Sequence, residues 1–176
     1  PSPLGTLKTI RSNIVWQDKW LIFSGNTYCI DLKTNTVSKP EKYQVSNGLL
    51  LNSIDGYYFE SNKTGKLWIF PPKGEMQVLN LIPDVKFTAE RNRKYNIARG
   101  KNGLFYIASY GNGFFLYDHP SGNLRHFSAN DPQPVIDTNF LLNIMVDGNG
   151  DIWIAQESTG VAFITMANES LVDRKS

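Results

Sequence analysis

The chain has 176 residues and a mass of 19.9 kDa, a length that fits one ordinary domain or a short array of small repeats. Hydrophobic residues make up 41% and charged residues 19%, which favours a packed core over disorder. The net charge of +2 is too small to indicate a nucleic-acid-binding surface. The single Cys29 excludes an internal disulfide and a cysteine-rich zinc site, and no apolar stretch approaches the roughly 20 residues that cross a bilayer.

Short apolar runs, rich in aromatic and β-branched residues, alternate with clusters of Gly, Asn and Pro along the whole chain. Such runs have the length of strands and are too short for helices, and the residues between them favour turns. In chain order the runs are 20–23, 57–59, 67–70, 105–108, 114–117, 152–155 and 161–164. The pattern predicts an all-β protein.

An internal repeat accompanies these strands. A shift of 47 residues aligns seven identical residues between 96–118 and 143–165, and the same shift matches 19–23 with 66–70. Between the second and third units the step shortens to 38 residues. The repeat therefore predicts four units, centred on Leu21, Trp68, Tyr106 and Trp153.

A unit of about 38 to 47 residues that contains short strands, a Gly turn and an aromatic residue is typical of a β-propeller blade. In the fourth unit we predict strands at 142–146, 152–155 and 160–164, with Asp147–Gly150 as the tight turn between the first two. Residues 122–127 give the third unit its outer strand. The fold class predicted is all-β, with about four propeller-type blades of four antiparallel strands each.

We interpret residues 1–176 as one propeller segment, with approximate blades at 11–48, 49–86, 87–128 and 129–166. Residues 5–10 repeat the pattern of 122–127, so 1–10 are expected to form an outer strand. That strand either completes the last blade, which would then end on its own third strand, or belongs to a neighbouring blade of a longer array. The favoured interpretation is a fragment of a larger propeller.

The fourth unit also carries a more specific motif. Asp147, Gly150, the triplet Ile152-Trp153-Ile154, Ala155 and Gly160 follow one another at characteristic spacings. This arrangement resembles the repeat of two-component regulator propellers, the periplasmic sensor regions of hybrid sensor histidine kinases in Bacteroides-type bacteria.

The third unit matches the same motif with two departures, Gly100 in place of the Asp and Tyr106 in place of the Trp. The resemblance is good over residues 96–164 and weak over residues 1–95.

The resemblance implies a ligand-sensing, periplasmic domain of an inner-membrane protein, with an oligosaccharide as the typical ligand. The implied partners are that ligand and neighbouring propeller or sensor domains of the same polypeptide. Exposed strand edges add a homodimer to the expected partners, and the low net charge argues against nucleic acid. The resemblance also implies that this chain is not itself an enzyme and that the histidine kinase lies elsewhere in the parent protein. We expect no cofactor, no metal and no catalytic residue here.

Two other functions stay open at this point. Propeller faces bind proteins well, and exposed strand edges favour pairing with another copy, so an interaction scaffold is one alternative. A glycan-acting propeller hydrolase or lyase is the other, and it would require two essential carboxylates on one face.

The recurring aromatic residues Trp68, Tyr106 and Trp153 are interpreted as packing between adjacent blades rather than stacking on a sugar. Asp147 is expected to accept hydrogen bonds from its own turn backbone.

Propeller geometry indicates where a ligand would bind. The loops that join second to third strands share one face with the connections between blades. An exposed aromatic residue beside planar polar groups suits sugars, because the ring stacks and the polar groups pair with hydroxyls. The ligand-binding residues predicted for this face are Arg91, Arg93, Tyr110, Asn112, Gln156 and Glu157.

Overall fold

The computed structural model describes residues 10, 12–24, 26–44, 49–61, 65–81, 95–167 and 170–175. Within these residues the chain forms four antiparallel sheets of four strands each, and in every sheet the strands lie side by side in sequence order. This is the blade architecture of a β-propeller, and it confirms the predicted fold class. The chain divides into two compact units, Pro1–Phe87 and Thr88–Ser176, and each unit holds two sheets.

The first unit contains the first and second sheets. The first sheet consists of β1 (Ser12–Trp16), β2 (Lys19–Ser24), β3 (Asn26–Asp31) and β4 (Val37–Ser38), followed by a short 3-10 helix at Glu41–Tyr43. The second sheet consists of β5 (Leu49–Ile54), β6 (Tyr57–Ser61), β7 (Lys66–Phe70) and β8 (Gln77–Asn80). A two-residue turn at Asp55-Gly56, with φ of 49° and 80°, joins β5 to β6, and positive φ at both positions is what a tight hairpin requires.

The core of this unit is aromatic and lies between its two sheets. Residues from the first sheet meet Trp68 and Phe70 of the second, and the Trp16 ring contacts Phe70 edge-on with 5.4 Å between the ring centroids. The Trp16 indole N–H donates to the carbonyl of Pro71 across 2.5 Å, so its polar atom is satisfied inside the core. The buried members are Ile14, Trp16, Leu21, Phe23, Cys29, Tyr43, Trp68 and Phe70.

The second unit contains the third and fourth sheets. The third sheet consists of β9 (Tyr95–Arg99), β10 (Leu104–Ser109), β11 (Phe114–Asp118) and β12 (Asn123–Phe127), with a 3-10 turn at Lys101–Gly103. The fourth sheet consists of β13 (Leu141–Val146), β14 (Ile152–Gln156), β15 (Gly160–Ala167) and β16 (Ser170–Lys175). One face of each sheet contributes to a shared core made of Tyr106, Ala108, Phe114, Leu116, Ile136, Leu141, Ile144, Ile152, Ile154, Ala162 and Ile164.

The 47-residue repeat relates the first three strands of the third sheet to those of the fourth sheet. Tyr106 lies opposite Ala98 and Leu116, and Trp153, 47 residues on, lies opposite Met145 and Phe163. The first three strands therefore keep the same register around these residues in both sheets, whereas a bulge between Leu141 and Asn143 and the pairing of β15 with β16 depart from it.

The expected match between 19–23 and 66–70 is wrong by one strand. Residues 19–24 form the second strand of the first sheet, whereas Lys66–Phe70 is the third strand of the second sheet. The true counterpart of Leu21 is Phe59, because both lie in the second strand at the same distance from the hairpin turn. Successive strands of a blade share one alternating pattern of apolar and polar residues. A sequence alignment that is shifted by one strand therefore still matches similar residues.

The expected end of the last blade is also wrong. β16 pairs with β15 from Phe163 opposite Lys175 to Ala167 opposite Ser170, so residues 170–175 supply the fourth strand. The predicted limits 129–166 are therefore too short for this sheet, and the expectation that it ends on its third strand does not hold. Residues 1–9, which include most of the predicted N-terminal outer strand, lie outside the described residues.

Candidate ligand-binding site

The loop between β10 and β11 is fastened to the segment that leads into β13. The backbone N–H groups of Gly111 and Gly113 both donate to the Asn139 carbonyl, at 2.8 and 3.0 Å. Gly113 has φ of 72°, and a Cβ at this position would lie 2.1 Å from the Phe127 carbonyl oxygen. Only glycine fits here, and the two hydrogen bonds to Asn139 hold the loop beside the segment that leads into the fourth sheet.

Tyr110, at the start of this loop, meets residues from the fourth sheet. Its hydroxyl donates to the Glu157 carboxylate across 2.6 Å, and its ring contacts Phe140 edge-on at 5.2 Å between centroids. The Glu157 N–H in turn donates to the Phe140 carbonyl at 2.9 Å. All three residues are half-buried. The structure thus brings two predicted residues, Tyr110 and Glu157, into direct contact, and we call Tyr110, Phe140 and Glu157 the Tyr110 cluster.

The chemistry of the Tyr110 cluster favours ligands that donate hydrogen bonds. The Tyr110 hydroxyl proton is directed at Glu157, while a carboxylate accepts up to about four hydrogen bonds. The Tyr110 ring and the Phe140 ring that contacts it provide apolar surface next to this hydrogen bond. An array of hydroxyl donors on an apolar ring, as a sugar presents, complements such a surface.

Asn112 lies in the same loop, two residues from Tyr110. Its backbone carbonyl is 2.6 Å from the Nε2 of His126, which places a hydrogen bond between the loop and β12. The His126 ring also stacks on Phe115 at 4.6 Å between centroids. Asn112 is half-buried, so it lies at the surface near the Tyr110 cluster.

Gln156 occupies a different environment from the one expected for a ligand-binding residue. It is only 4% exposed, and its amide oxygen accepts from the backbone N–H of Asp137 at 2.7 Å while its amide nitrogen donates to the Asp137 carboxylate at 3.2 Å. Its side chain therefore holds the segment before β13 in place and does not face solvent. The predicted Arg91 and Arg93 lie outside the described residues.

Sequence reasoning missed Phe140, which stands in an irregular segment with no repeat pattern around it. The contact between Tyr110 and Glu157 had a signal in the sequence, since the two residues are 47 positions apart and thus occupy equivalent places in adjacent repeats.

Tyr95, the first residue of β9, carries a buried hydroxyl with no hydrogen-bond partner in the described structure. The residue is 5% exposed, and burial raises the pKa of its phenol to about 12. Because Tyr95 pairs with Ser109, it lies at the same end of the third sheet as the Tyr110 loop.

The opposite end of these sheets is organised by Asp147. One carboxylate oxygen accepts from the backbone N–H groups of Asn149, Gly150 and Asp151 at 2.9 to 3.1 Å, which confirms the expected turn. The other oxygen accepts from the indole N–H of Trp153 at 3.1 Å. The hydrogen bond from Trp153, followed by those from the turn backbone, lowers the pKa of Asp147 below its usual value.

The expectation that the recurring aromatic residues are buried holds for two of them. Trp68 and Tyr106 are 6% and 2% exposed, whereas Trp153 is 39% exposed and packs on Phe163 at 4.4 Å between ring centroids. Trp153 is therefore not in the core of the described structure.

No helix in the described residues is both long and apolar enough to span a bilayer. Across the same residues, no cluster of three or more His, Cys, Asp or Glu side chains is arranged to bind a metal ion.

No protein-family model and no curated protein matches the chain. Solved structures do. The extracellular domain of the putative hybrid two-component system BT3049 from B. thetaiotaomicron is similar over 97% of this chain, with a TM-score of 0.53 and 19% identity. The corresponding domain of BT4673 from the same organism is similar over 91%, with a TM-score of 0.51 and 12% identity.

The WD40 β-propeller domain of Doa1 is similar over 95% of this chain and 53% of its own, with a TM-score of 0.50 and 15% identity. The chain spans 23% and 20% of the BT3049 and BT4673 domains, so it corresponds to less than a quarter of each. At these identities the likeness defines the fold. The chain is built from β-propeller blades and resembles, in structure, the extracellular domains of two hybrid two-component systems.

Proposed function

We propose that this chain is part of an extracytoplasmic, ligand-sensing propeller of a two-component signalling protein, and that its ligand is an oligosaccharide. The proposal includes a periplasmic location, a non-catalytic role for this segment, and a parent protein whose histidine kinase lies elsewhere in the sequence. The sensor role is supported by the likeness to two extracellular domains of hybrid two-component systems. The ligand class is supported by the Tyr110 cluster.

The observation that carries the proposal is the 2.6 Å hydrogen bond between Tyr110 and Glu157. The two side chains come from equivalent loops of adjacent blades, so a ligand that contacts both would connect the third blade to the fourth. A ligand shifts a conformational equilibrium only by its differential affinity for the two states. A ligand that contacts two blades has a different affinity for each arrangement of those blades, so its binding can shift the equilibrium between the arrangements.

The test is calorimetric titration of the chain with a panel of oligosaccharides, first the wild type and then two variants. Tyr110→Ala removes the ring, and Glu157→Gln keeps the shape while it removes the charge. Each is expected to weaken binding about tenfold or more, as truncation of a central contact residue commonly does. Lys101→Ala is the matched control, since Lys101 is exposed at the opposite end of the third sheet.

Binding that is unchanged in Tyr110→Ala would remove the cluster from the proposed site. A panel in which no oligosaccharide releases or absorbs heat would contradict the proposed ligand class.

A further inference from the structure

The carboxylate of the Tyr110 cluster has no cationic partner within the described residues. Both ion pairs found among those residues belong to the first unit. Glu157 instead accepts a hydrogen bond from the neutral Tyr110 hydroxyl. The residue is half-buried, so water screens its charge less than at a fully exposed position. A cation brought to Glu157 is therefore attracted more strongly than at an ordinary surface carboxylate.

The two rings of the Tyr110 cluster favour a cation at the same place. The face of a Tyr or Phe ring attracts an ammonium group that lies within about 6 Å of its centre. A protonated amine that donates to Glu157 next to the Tyr110 ring gains this attraction in addition to a charge-assisted hydrogen bond. A hydroxyl group also donates to a carboxylate, but it carries no charge and gains neither of these two terms.

The segments that surround the Tyr110 cluster carry charges of the same sign as Glu157. They are residues 110–113, 128–140 and 156–159, and the backbone of Asn139 and that of Glu157 join them by hydrogen bonds. Their charged side chains are Asp131, Asp137 and Glu157. None of the three segments contains Lys, Arg or His, so together they attract positive charge.

We propose that the oligosaccharide bound by the Tyr110 cluster is an oligomer of amino sugars, whose free, protonated amine donates to the Glu157 carboxylate. This inference rests on the proposed sensing function and narrows its ligand class from oligosaccharides in general to cationic ones. A carboxylate accepts up to about four hydrogen bonds, so the amine binds Glu157 alongside the Tyr110 hydroxyl. The apolar surface of the sugar ring packs on the aromatic rings of the cluster.

The experiment is calorimetric titration of the intact chain with oligomers of equal length that differ in charge. Oligomers of glucosamine and of galactosamine are each compared with their N-acetylated forms, and neutral glucose oligomers and acidic uronic acid oligomers complete the panel. A mildly acidic buffer of low ionic strength keeps the amines protonated and the carboxylates ionised. At least one free-amine oligomer is expected to bind about tenfold or more tightly than its acetylated form, because acetylation removes the charge. The difference should shrink as salt is added.

Two variants show whether Glu157 causes this preference. Glu157→Gln keeps the shape of the side chain and removes its charge, so it should bind the free-amine and acetylated forms about equally. Asp118→Asn is the matched control, since it removes the same charge at Asp118, which lies opposite Leu104 at the end of the third sheet away from the Tyr110 loop. The control should keep the preference of the wild type. Unchanged circular dichroism would exclude unfolding as the cause of either result.

The outcomes separate this inference from the proposed function on which it rests. A neutral, acetylated or acidic oligomer that binds as tightly as every free-amine oligomer, and that Tyr110→Ala weakens, would overturn the amino-sugar inference and leave oligosaccharide sensing in place. A preference for the free amine that persists in Glu157→Gln would overturn the inference as well. A panel in which no oligomer binds would instead contradict the proposed ligand class as a whole.

Discussion

The turn that joins β9 to β10 and the turn that joins β13 to β14 are closed by an equivalent backbone hydrogen bond but carry different side chains. Gly100 donates its N–H to the Leu104 carbonyl, and Asp147, 47 residues later, donates to the Asp151 carbonyl; both distances are 2.9 Å. In the third sheet the ring of Tyr106 fills the space beside Gly100, where a Cβ would lie 2.7 Å from the ring. In the fourth sheet Asp147 occupies that position and holds Trp153 by a hydrogen bond.

The difference follows from what lies against each sheet. Tyr106 is covered by the fourth sheet and is 2% exposed, so packing against neighbouring side chains fixes its ring. Trp153 is 39% exposed, and its position is held by a charge-assisted hydrogen bond in contact with solvent. One repeat position therefore tolerates two different ways of fixing an aromatic side chain.

The largest expected effect separates the two aromatic residues. Tyr106→Ala should lower the free energy of unfolding by about 3–5 kcal/mol, because it removes a fully buried ring and leaves a cavity. Trp153→Ala should cost about 1–2 kcal/mol, since it removes partial packing and one hydrogen bond. Urea denaturation at low protein concentration measures both. Equal losses would contradict the distinction between a packed and a solvent-exposed position.

The next effect separates two glycines. Gly100→Ala should cost about 1–3 kcal/mol, because the new methyl group overlaps the Tyr106 ring at a backbone conformation that alanine otherwise adopts without strain. Gly148→Ala is the matched control, since no atom lies within 4 Å of the place that its methyl group would take, and its stability should change by less than about 0.5 kcal/mol. If the cost of Gly100→Ala arises from the ring, it should largely disappear in the double variant with Tyr106→Ala.

A smaller effect compares Tyr95 with its counterpart in the fourth sheet, the fully apolar Leu141. Tyr95 lies opposite Ser109, and Leu141 lies opposite Gln156, which stands 47 residues after Ser109. The bulge between Leu141 and Asn143 places Leu141, and not Leu142, at the position equivalent to Tyr95. Tyr95→Phe removes the unpartnered buried hydroxyl and should raise the free energy of unfolding by about 1 kcal/mol. A loss of stability in the denaturation curve would show that the hydroxyl has a partner in solution.

The smallest effect concerns pH. Because the pKa of Asp147 is lower in the folded chain than its ordinary value of 3.8, ionised Asp147 stabilises the fold above that pH, and the contribution is lost as pH falls through the folded-state pKa. Asp147→Asn should lower the melting temperature by a few degrees at neutral pH. The gap between wild type and variant should narrow below pH 3.8. A gap that is the same at every pH would indicate that the charge does not contribute.

The second unit was largely predictable because its two sheets repeat one register. The fixed spacing predicted the strand positions and the Asp147 turn, and it placed Tyr110 and Glu157 on one face without predicting their hydrogen bond. The first unit was less predictable because its hairpins are short and its strands resemble one another. A match that joined β2 to β7 was therefore as good locally as the correct match with β6.

Two side-chain environments depend on distant contacts and had no signal in the sequence. Gln156 follows a regular strand, but its burial depends on the irregular segment around Asp137. The exposure of Trp153 depends on whether another sheet lies against it, since the strand residues around it match those around the buried Tyr106 at most positions.

The most direct test of the proposed sensing site is hydrogen–deuterium exchange of the intact chain with and without a bound oligosaccharide. The account predicts simultaneous protection of the backbone at 110–113 and at 156–159, the two loops that the Tyr110–Glu157 hydrogen bond connects. Residues 147–151, at the opposite end of the fourth sheet, should exchange at an unchanged rate. Protection confined to 147–151 or to the first unit would contradict the account.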